Sequence, residues 1–488
     1  MSKAKSSKKS SSPTFTYEGA VTLFKQGQEK VVDVLLEMTA RIKELEGMKA
    51  KNSKNSSKPP SSDGLSKPAP KGLRKKSKRK SGGQKGHKGS SLKRKKKPDI
   101  IEVHNVDHCE NCGCNLEDEK VLREQSRQVF DIPPVQLVVT EHRTQVKRCS
   151  CGHITMSQFP DGVNAPVQYG SRIKAMSVYL NQYQLLPYAR LCETMRDLFK
   201  APLSEGTLAN MIHQAGELSQ KSVDQIRETL LESKVVHFDE TGMRRKGKTN
   251  WMHYACTPKM SLFTLHKKRG KEAMDAAGVL PEFKGTAIHD YWKSYYQYDC
   301  AHALCNVHHL RDLIYIHEQL GQNWAKEAIE TLLQIKKSVD TAKQEGKSLL
   351  SSKTVQNHEI KWDEILKKGY AENPDLPPPK KKKRGRVAKG KARNLIERFD
   401  HQRHEVLAFM YNFDIPFDNN LAENGIRMNK VKQKISGCFR SIEYSEDFCK
   451  IRSYICTARK NAIGAFNSII QLFEGHSILD LISKSVAE

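Results

Sequence analysis

Apolar and polar positions change period several times along the chain. From Tyr17 to Met48 the apolar positions Val21, Phe24, Val31, Leu35, Met38, Ile42 and Leu45 alternate three- and four-residue steps, with only Gln28 polar in the seam. That spacing predicts a helix about four heptads long. It suits a short oligomerising coiled coil, and equally an amphipathic helix packed on a later domain. Residues 167–232 read as several helices, and in "LSEGTLANMIHQAG" Ser204 is a candidate N-cap with Glu205 in the first turn. The texture fits a helix-turn-helix. Strand-like runs follow at Lys234–Phe238, Asn250–Cys256 and Leu262–His266, then a helix at Lys271–Val279 and a fourth strand at Thr286–Asp290. Residues 303–350 read as helical, and helical text resumes near Leu395 and runs with breaks to the C-terminus.

Two stretches lack any core-forming pattern. Between Lys71 and Lys97 there are fourteen Lys or Arg and no acid, spaced by Ser, Gly and Pro. This is either a solvated linker or a flexible arm lying along phosphates, and the total charge favours the arm. The second stretch, "NPDLPPPKKKKRGRVAKGKAR", carries nine Lys or Arg from residue 380 to 393. The 488-residue chain has 83 Lys and Arg against 55 Asp and Glu, a net charge of +28. A polyanion is the partner such a surplus suits, through phosphate neutralisation and counterion release. No apolar run approaches the roughly 18 residues of a bilayer span, and the Ser- and Lys-rich start is unlike a signal peptide. The expectation is a soluble intracellular protein whose 12 cysteines are thiols or metal ligands rather than disulfides.

From Ile100 to about Phe159 lies a Cys- and His-bearing unit with strand-like text in "PPVQLVVTEHRTQVKRC". Cys109, Cys112 and Cys114 stand in "CENCGCNL", and Cys149, Cys151 and His153 in "CSCGH". Two such clusters fold back as knuckles around one tetrahedral zinc. Cys109, Cys112, Cys149 and Cys151 are the candidate ligands, with Cys114 or His153 as substitutes.

Acids carry the remaining chemistry. Asp239 ends the first predicted strand and Asp290, in "GTAIHDYWKSYY", ends the fourth. A lone acid at a strand end is a common turn residue. Two in this order suit carboxylates converging on divalent metal for phosphodiester chemistry. Glu240 stands beside Asp239 as a neighbour that tunes the site or caps the turn. In "DNNLAENGIRMNKVKQKISGCFR" a helical wheel places Leu421, Met428, Val431 and Ile435 on one face and Glu423, Arg427, Lys430 and Lys434 on the opposite one. Glu423 is then a third metal ligand among phosphate-binding cations, or one half of an ordinary Glu–Arg pair. Arg244, Arg245 and Lys246, on the turn after Asp239, are candidate DNA contacts. In "DCAHALCNVHHLRDL" Cys300, His302, Cys305 and His308 have spacing compatible with metal. The reading preferred for Cys305 and His308 is a packed thiol and a histidine that orients the site or touches DNA.

Taken in order, these pieces resemble the bacterial insertion sequence 66 family of DDE transposases over nearly the whole chain. The carriers are "KNSKNSSKPPSSDG", "SGGQKGHKG", the Cys unit, "APVQYGSRIKAMSVYLNQYQLLPYAR", "HFDET", "HDYWKSYY" with "HALCNVHHLRDL", "DNNLAENGIRMNKVKQKISGCFRS" and "SYICTARKNA". The resemblance implies an RNase H-like α/β core, a mixed sheet with flanking helices, in which Asp239, Asp290 and Glu423 bind two Mg²⁺ (or Mn²⁺). It also matches Asn420 and Arg427 to residues flanking the third acid. The tight Cys149–Ser150–Cys151 knuckle departs from the family pattern and leaves the zinc ligand set open.

The expected organisation is a basic tail and N-terminal helix at 1–50, a disordered basic linker at 51–99 and a zinc-finger-like unit at 100–160. A helical, helix-turn-helix-like DNA-binding region follows at 165–232. The catalytic core occupies 233–310 and 395–450, interrupted by a helical insertion with a basic Pro-rich loop at 311–394, and a helical segment closes the chain at 451–488. The expected activity is binding of terminal inverted repeats, 3′-end cleavage and strand transfer into target DNA. Expected partners are double-stranded DNA, further copies of the chain on DNA and small accessory proteins of the same element, with no membrane, in a bacterial cytoplasm at the nucleoid. The alternatives are a catalytically inactive or domesticated DNA-binding protein, and a structure-selective nuclease on the same core.

Overall fold

The computed structural model describes residues 17–56, 86, 91–375 and 389–487. Most of the basic linker and most of the Lys380–Arg393 run lie outside the described residues. The chain forms two compact units: Met1–Lys71, Val167–Leu191 and Glu205–Glu488 make one, and Gly72–Pro166 with Cys192–Ser204 the other.

The smaller unit holds β1 (Val146–Arg148) and β2 (Ile154–Met156), antiparallel with Arg148 opposite Ile154. The turn between them carries the second cysteine pair. Gly152, at φ +87°, takes the left-handed conformation this turn needs, and the Cys149 amide donates to the His153 carbonyl at 2.8 Å. Gly113, at φ +75°, does the same for the first pair, where the Cys109 amide donates to the Cys114 carbonyl. The strand-like text before Val146 forms no strand. Val138 and Val139 there are exposed, and an alternating pattern makes a strand only with an edge to pair against.

In the larger unit the described N-terminal residues form two helices, Tyr17–Phe24 and Gln28–Ala50, rather than one. The break falls at Gly27, at φ +105°, so Gln28 opens a new helix instead of interrupting a seam. Between 171 and 231 the helices expected from sequence are present, but Glu205–Leu218 runs into Gln220–Leu231 through Ser219 alone, which keeps a helical backbone. No three- or four-residue turn separates that pair.

A five-stranded sheet follows, built from β3 (Val235–Arg245), β4 (Lys248–Cys256), β5 (Ser261–His266), β6 (Thr286–His289) and β7 (Ala301–Leu304). Its order is β5-β4-β3-β6-β7, with β3–β4 and β4–β5 antiparallel and β3–β6 and β6–β7 parallel. β7 was absent from the sequence-based expectation, which ran helix from residue 303. β3 also continues through Asp239 and Glu240 to a two-residue hairpin, where Lys246 and Gly247 have φ of +48° and +73°.

Helices cover the sheet on both sides. The edge strand β5 donates its Ser261 and Phe263 amides to Thr457 Oγ1 and Ser453 Oγ of the Ile442–Lys460 helix, at 3.1 and 2.9 Å. Those bonds occupy amides that an open edge would present to another chain. The insertion helices Asn323–Gln344, Ser352–Glu372 and Lys391–His401 share one core with β6 and β7, joining Ile288 and Leu304 to Trp324, Trp362 and Phe399. The insertion is therefore packed into the sheet's own core.

The Asn420–Ser436 helix lies on β3 and β4 with a face other than the one its apolar residues suggest. Ala422, Ile426, Asn429 and Lys432 are buried, whereas Met428, Val431 and Ile435 are 40%, 36% and 45% exposed. Gly425 explains the choice. A Cβ there would come within 2.3 Å of the Tyr254 ring, so the helix docks by its smallest residue. Gly425→Ala is expected to lower stability by about 1–3 kcal/mol in denaturant unfolding. Helix propensity alone gives the opposite sign, about 1 kcal/mol of gain, so a stabilised variant contradicts this packing.

Candidate active site

β3 runs parallel to β6 with His237 opposite Ile288. Asp239 stands two residues further along β3 and Asp290 directly follows the last residue of β6, so the parallel pairing carries the two acids to the same end of the neighbouring strands. Asp239 pairs across β4 with Tyr254 and shares its face. That is the ring on which Gly425 rests, and Glu423 lies two residues earlier on the same helix. Three separate elements thus deliver Asp239, Asp290 and Glu423 to one place.

The electrostatics of Asp239 reflect these neighbours. Burial holds the Asp239 carboxyl well above the usual carboxylate range, and the charges of Glu240, Glu423 and Asp290 push the same way. Asp239 Oδ1 accepts the Glu240 amide at 2.9 Å, and Asp290 Oδ1 accepts the Trp292 amide at 2.9 Å. Next to this cluster His289 is held down to about 3 by burial; its Nε2 is 2.9 Å from His302 Nδ1.

Arg269 was not singled out from sequence, yet it is the cation bonded to these acids. Its Nη2 donates to Glu240 Oε1 at 2.6 Å and lies 4.0 Å from Asp290 Oδ2. The guanidinium sits over the Trp251 and Trp292 rings at 5.0 and 4.1 Å. Glu240, its side chain 2% exposed, also accepts the Tyr295 hydroxyl at 2.6 Å. It is a structural anchor for Arg269. The signal was faint, because "KKRG" reads as one more basic loop in a basic chain.

The asparagine that braces the site is Asn419. Its Nδ2 donates to the Phe238 carbonyl at 2.8 Å and its Oδ1 meets His237 Nδ1 at 2.8 Å. Asn420, named from the resemblance, is exposed at the helix start, and its amide donates to Asp418. Cys305 and His308 both face Glu423: Cys305 Sγ and His308 Nδ1 each lie 3.9 Å from its Oε1.

Of the cations named as DNA contacts, Arg244, Lys246, Arg427, Lys430 and Lys434 are exposed. Lys430 Nζ donates to the Gly242 carbonyl at 2.6 Å, which brings the helix's basic face against the β3–β4 hairpin. Arg245 is turned inward, 8% exposed, with its Nη1 donating to Ser445 Oγ at 3.4 Å.

The donor set fits the two metals implied above. Asp239, Asp290 and Glu423 supply oxygen alone, the preference of Mg²⁺, and a charge cluster that calls for cations. In the smaller unit the Cys114 amide and the Cys114 and Cys109 thiols hold the Cys112 thiol below its usual range, and the Cys151 amide and thiol do so for Cys149. Zinc binds thiolates, so this bias suits it. The structure does not draw the two cysteine pairs into one cluster; among the described residues, groups of three ligand atoms within 4.8 Å occur only in the larger unit.

Because its carboxyl is raised when folded, Asp239 holds a proton in the native state at pH values where the unfolded chain has released it. Its contribution to stability therefore falls as pH climbs above the ordinary carboxylate value near 4. In metal-free protein Asp239→Asn is expected to raise the melting temperature at pH 7 above that of wild type, with the gap closing toward pH 4. A thermal melt of the variant at or below wild type at pH 7 contradicts this.

Comparison with known families identifies the chain at the level of its domains. Residues 166–446, more than half the chain, match the transposase IS66 family. Residues 107–152 match the zinc-finger binding domain of transposase IS66, and residues 27–93 a family of unknown function. No curated protein matches the chain. With its transposase and zinc-finger domains, and the DNA binding and transposition that follow from them, the chain belongs to the IS66 family of transposases.

Proposed function

We propose that the larger unit is an RNase H-like DDE core that cuts at the 3′ ends of its element and joins them to target DNA, with Asp239, Asp290 and Glu423 holding two Mg²⁺ or Mn²⁺ ions. The observation that carries this is the convergence of three acids from β3, the end of β6 and a later helix. The sheet order and directions support the core assignment. When bound, the metal pair activates the attacking oxygen and steadies the leaving one.

The chain's own residues orient and bind. Arg269, fixed by Glu240 and two indoles, keeps one positive charge beside Asp290. Asn419 ties the start of the Glu423 helix to β3. Arg244, Lys246, Arg427, Lys430 and Lys434 offer phosphate contacts over a hairpin and helix in mutual contact. Water is the first nucleophile: its oxygen bonds to phosphorus as the 3′ oxygen leaves, giving a 3′-OH and a 5′-phosphate. The 3′-OH then attacks a target phosphodiester, displacing a 3′ oxygen of the target, with no covalent protein intermediate. The zinc unit, with Cys109, Cys112, Cys149 and Cys151 on structural Zn²⁺, and the basic arm help find terminal repeats. At least two copies bring two ends together.

With Mg²⁺ and labelled element ends, wild type is expected to nick and transfer. Asp239→Asn, Asp290→Asn and Glu423→Gln are each expected to bind ends yet give only background cleavage. Strand transfer surviving any one substitution removes that residue from the triad. Cleavage of branched DNA in preference to element ends favours the nuclease reading.

A further inference from the structure

Cys305 is the residue before the Asn306–Leu320 helix, with its sulfur buried beside the active site. The sulfur accepts the Asn419 amide at 3.2 Å, while burial and the neighbouring Glu423 charge push its thiol up to about 12, so that without a cation it keeps its proton. One turn on, His308 Nδ1 is buried with no hydrogen-bond partner. Its 3.9 Å approach to Glu423 Oε1 is too long for a hydrogen bond. A buried unsatisfied nitrogen is costly and asks for an explanation. Cys305 Sγ, His308 Nδ1 and a Glu423 oxygen all lie within 4.8 Å of one another.

Thiol, imidazole and carboxylate differ in kind from an all-oxygen set. Sulfur and nitrogen select Zn²⁺, Co²⁺ or Cd²⁺ over Mg²⁺, and three protein ligands with an open position make a familiar zinc arrangement. Ordinary packing explains the sulfur but leaves the imidazole nitrogen unpaired. Among the described residues the other three-ligand group, His213, Glu217 and Asp447, is already satisfied: His213 bonds Asp447 at 3.0 Å and Glu217 meets Lys450 at 3.4 Å.

We propose that Cys305, His308 and Glu423 form a site for one borderline or soft divalent cation, of the Zn²⁺ class, beside the all-oxygen centre and sharing Glu423 with it. Binding replaces the Cys305 S–H bond by a sulfur–metal bond and sends the proton to solvent. The cation draws Glu423 to itself, so Zn²⁺ competes with the Mg²⁺-dependent reaction. That consequence rests on the proposed triad, whereas binding requires only the three side chains.

The test uses the full chain without DNA, first stripped of metal by a chelator and then titrated with Co²⁺ until both sites are filled. It is followed by the thiolate-to-cobalt charge-transfer band in parallel with the Cys112→Ser protein, in which the zinc unit is disabled. Wild type is expected to show a band of which Cys112→Ser keeps the part arising at Cys305. In that Cys112→Ser protein, Cys305→Ser is expected to abolish the remaining band, and His308→Ala to weaken Co²⁺ binding by more than about tenfold. Mg²⁺ in excess is expected not to displace the ion. Asp239→Asn is expected to keep the band, so loss of cleavage in that variant bears on the triad and leaves this site standing. Should Cys305→Ser fail to fold, His308→Ala decides. A cobalt band unchanged by both substitutions, or no cobalt bound beyond the zinc unit, overturns the proposal.

Discussion

Four carboxylates meet where β3 and β6 run parallel, and Arg269 is the cation bonded among them. Like charges in a partly buried site raise one another's pKa and cannot all stay ionised without compensation. The rest of the larger unit can be read as the scaffolding this convergence needs. The parallel pairing carries Asp239 and Asp290 to the same end of neighbouring strands, Gly425 lets the Glu423 helix lie on the Tyr254 ring, and Asn419 ties the start of that helix to the strand. Glu240 is the acid that the protein compensates internally, through Arg269 and Tyr295. Among the described cations, Arg244, Lys246, Arg427, Lys430 and Lys434 stand on exposed surface, where they suit phosphates rather than carboxylates.

Much of the sheet was legible because β3, β4, β5 and β6 are apolar runs bounded by turn residues, and the acids at the ends of two of them drew attention for that reason. β7 was not legible. Four residues, "AHAL", are too short for a period and run straight into a helix. The face of the Asn420–Ser436 helix was misjudged for a different reason. A helical wheel weighs hydrophobicity, whereas docking here is decided by closeness of approach at Gly425 and by burial of Asn429 and Lys432. The Lys432 ammonium stands over the Phe439, Tyr444 and Phe448 rings, where burial lowers it to about 8. Arg269 and Asn419 escaped notice because their partners are far along the chain, and no local pattern marks a contact between residues 240 and 269 or 238 and 419.

The domain-level reading fared unevenly for equally physical reasons. The zinc-finger match falls on the two cysteine knuckles, whose signature is spacing rather than packing. The insertion was drawn at 311–394 from its interruption of the core pattern, yet its Trp324 and Trp362 fill one core with Phe399, Ile288 and Leu304. An insertion so joined cannot be removed without opening the sheet, and sequence boundaries alone do not reveal that.

The central claim is that Asp239, Asp290 and Glu423 bind divalent metal together. Fe²⁺ substituted for Mg²⁺, with peroxide and ascorbate, cuts a polypeptide close to where the metal sits. Cuts near residues 239, 290 and 423, suppressed together by excess Mg²⁺, are the result expected. Cuts confined to other segments, or cuts near only one of the three that Mg²⁺ does not suppress, would contradict the account.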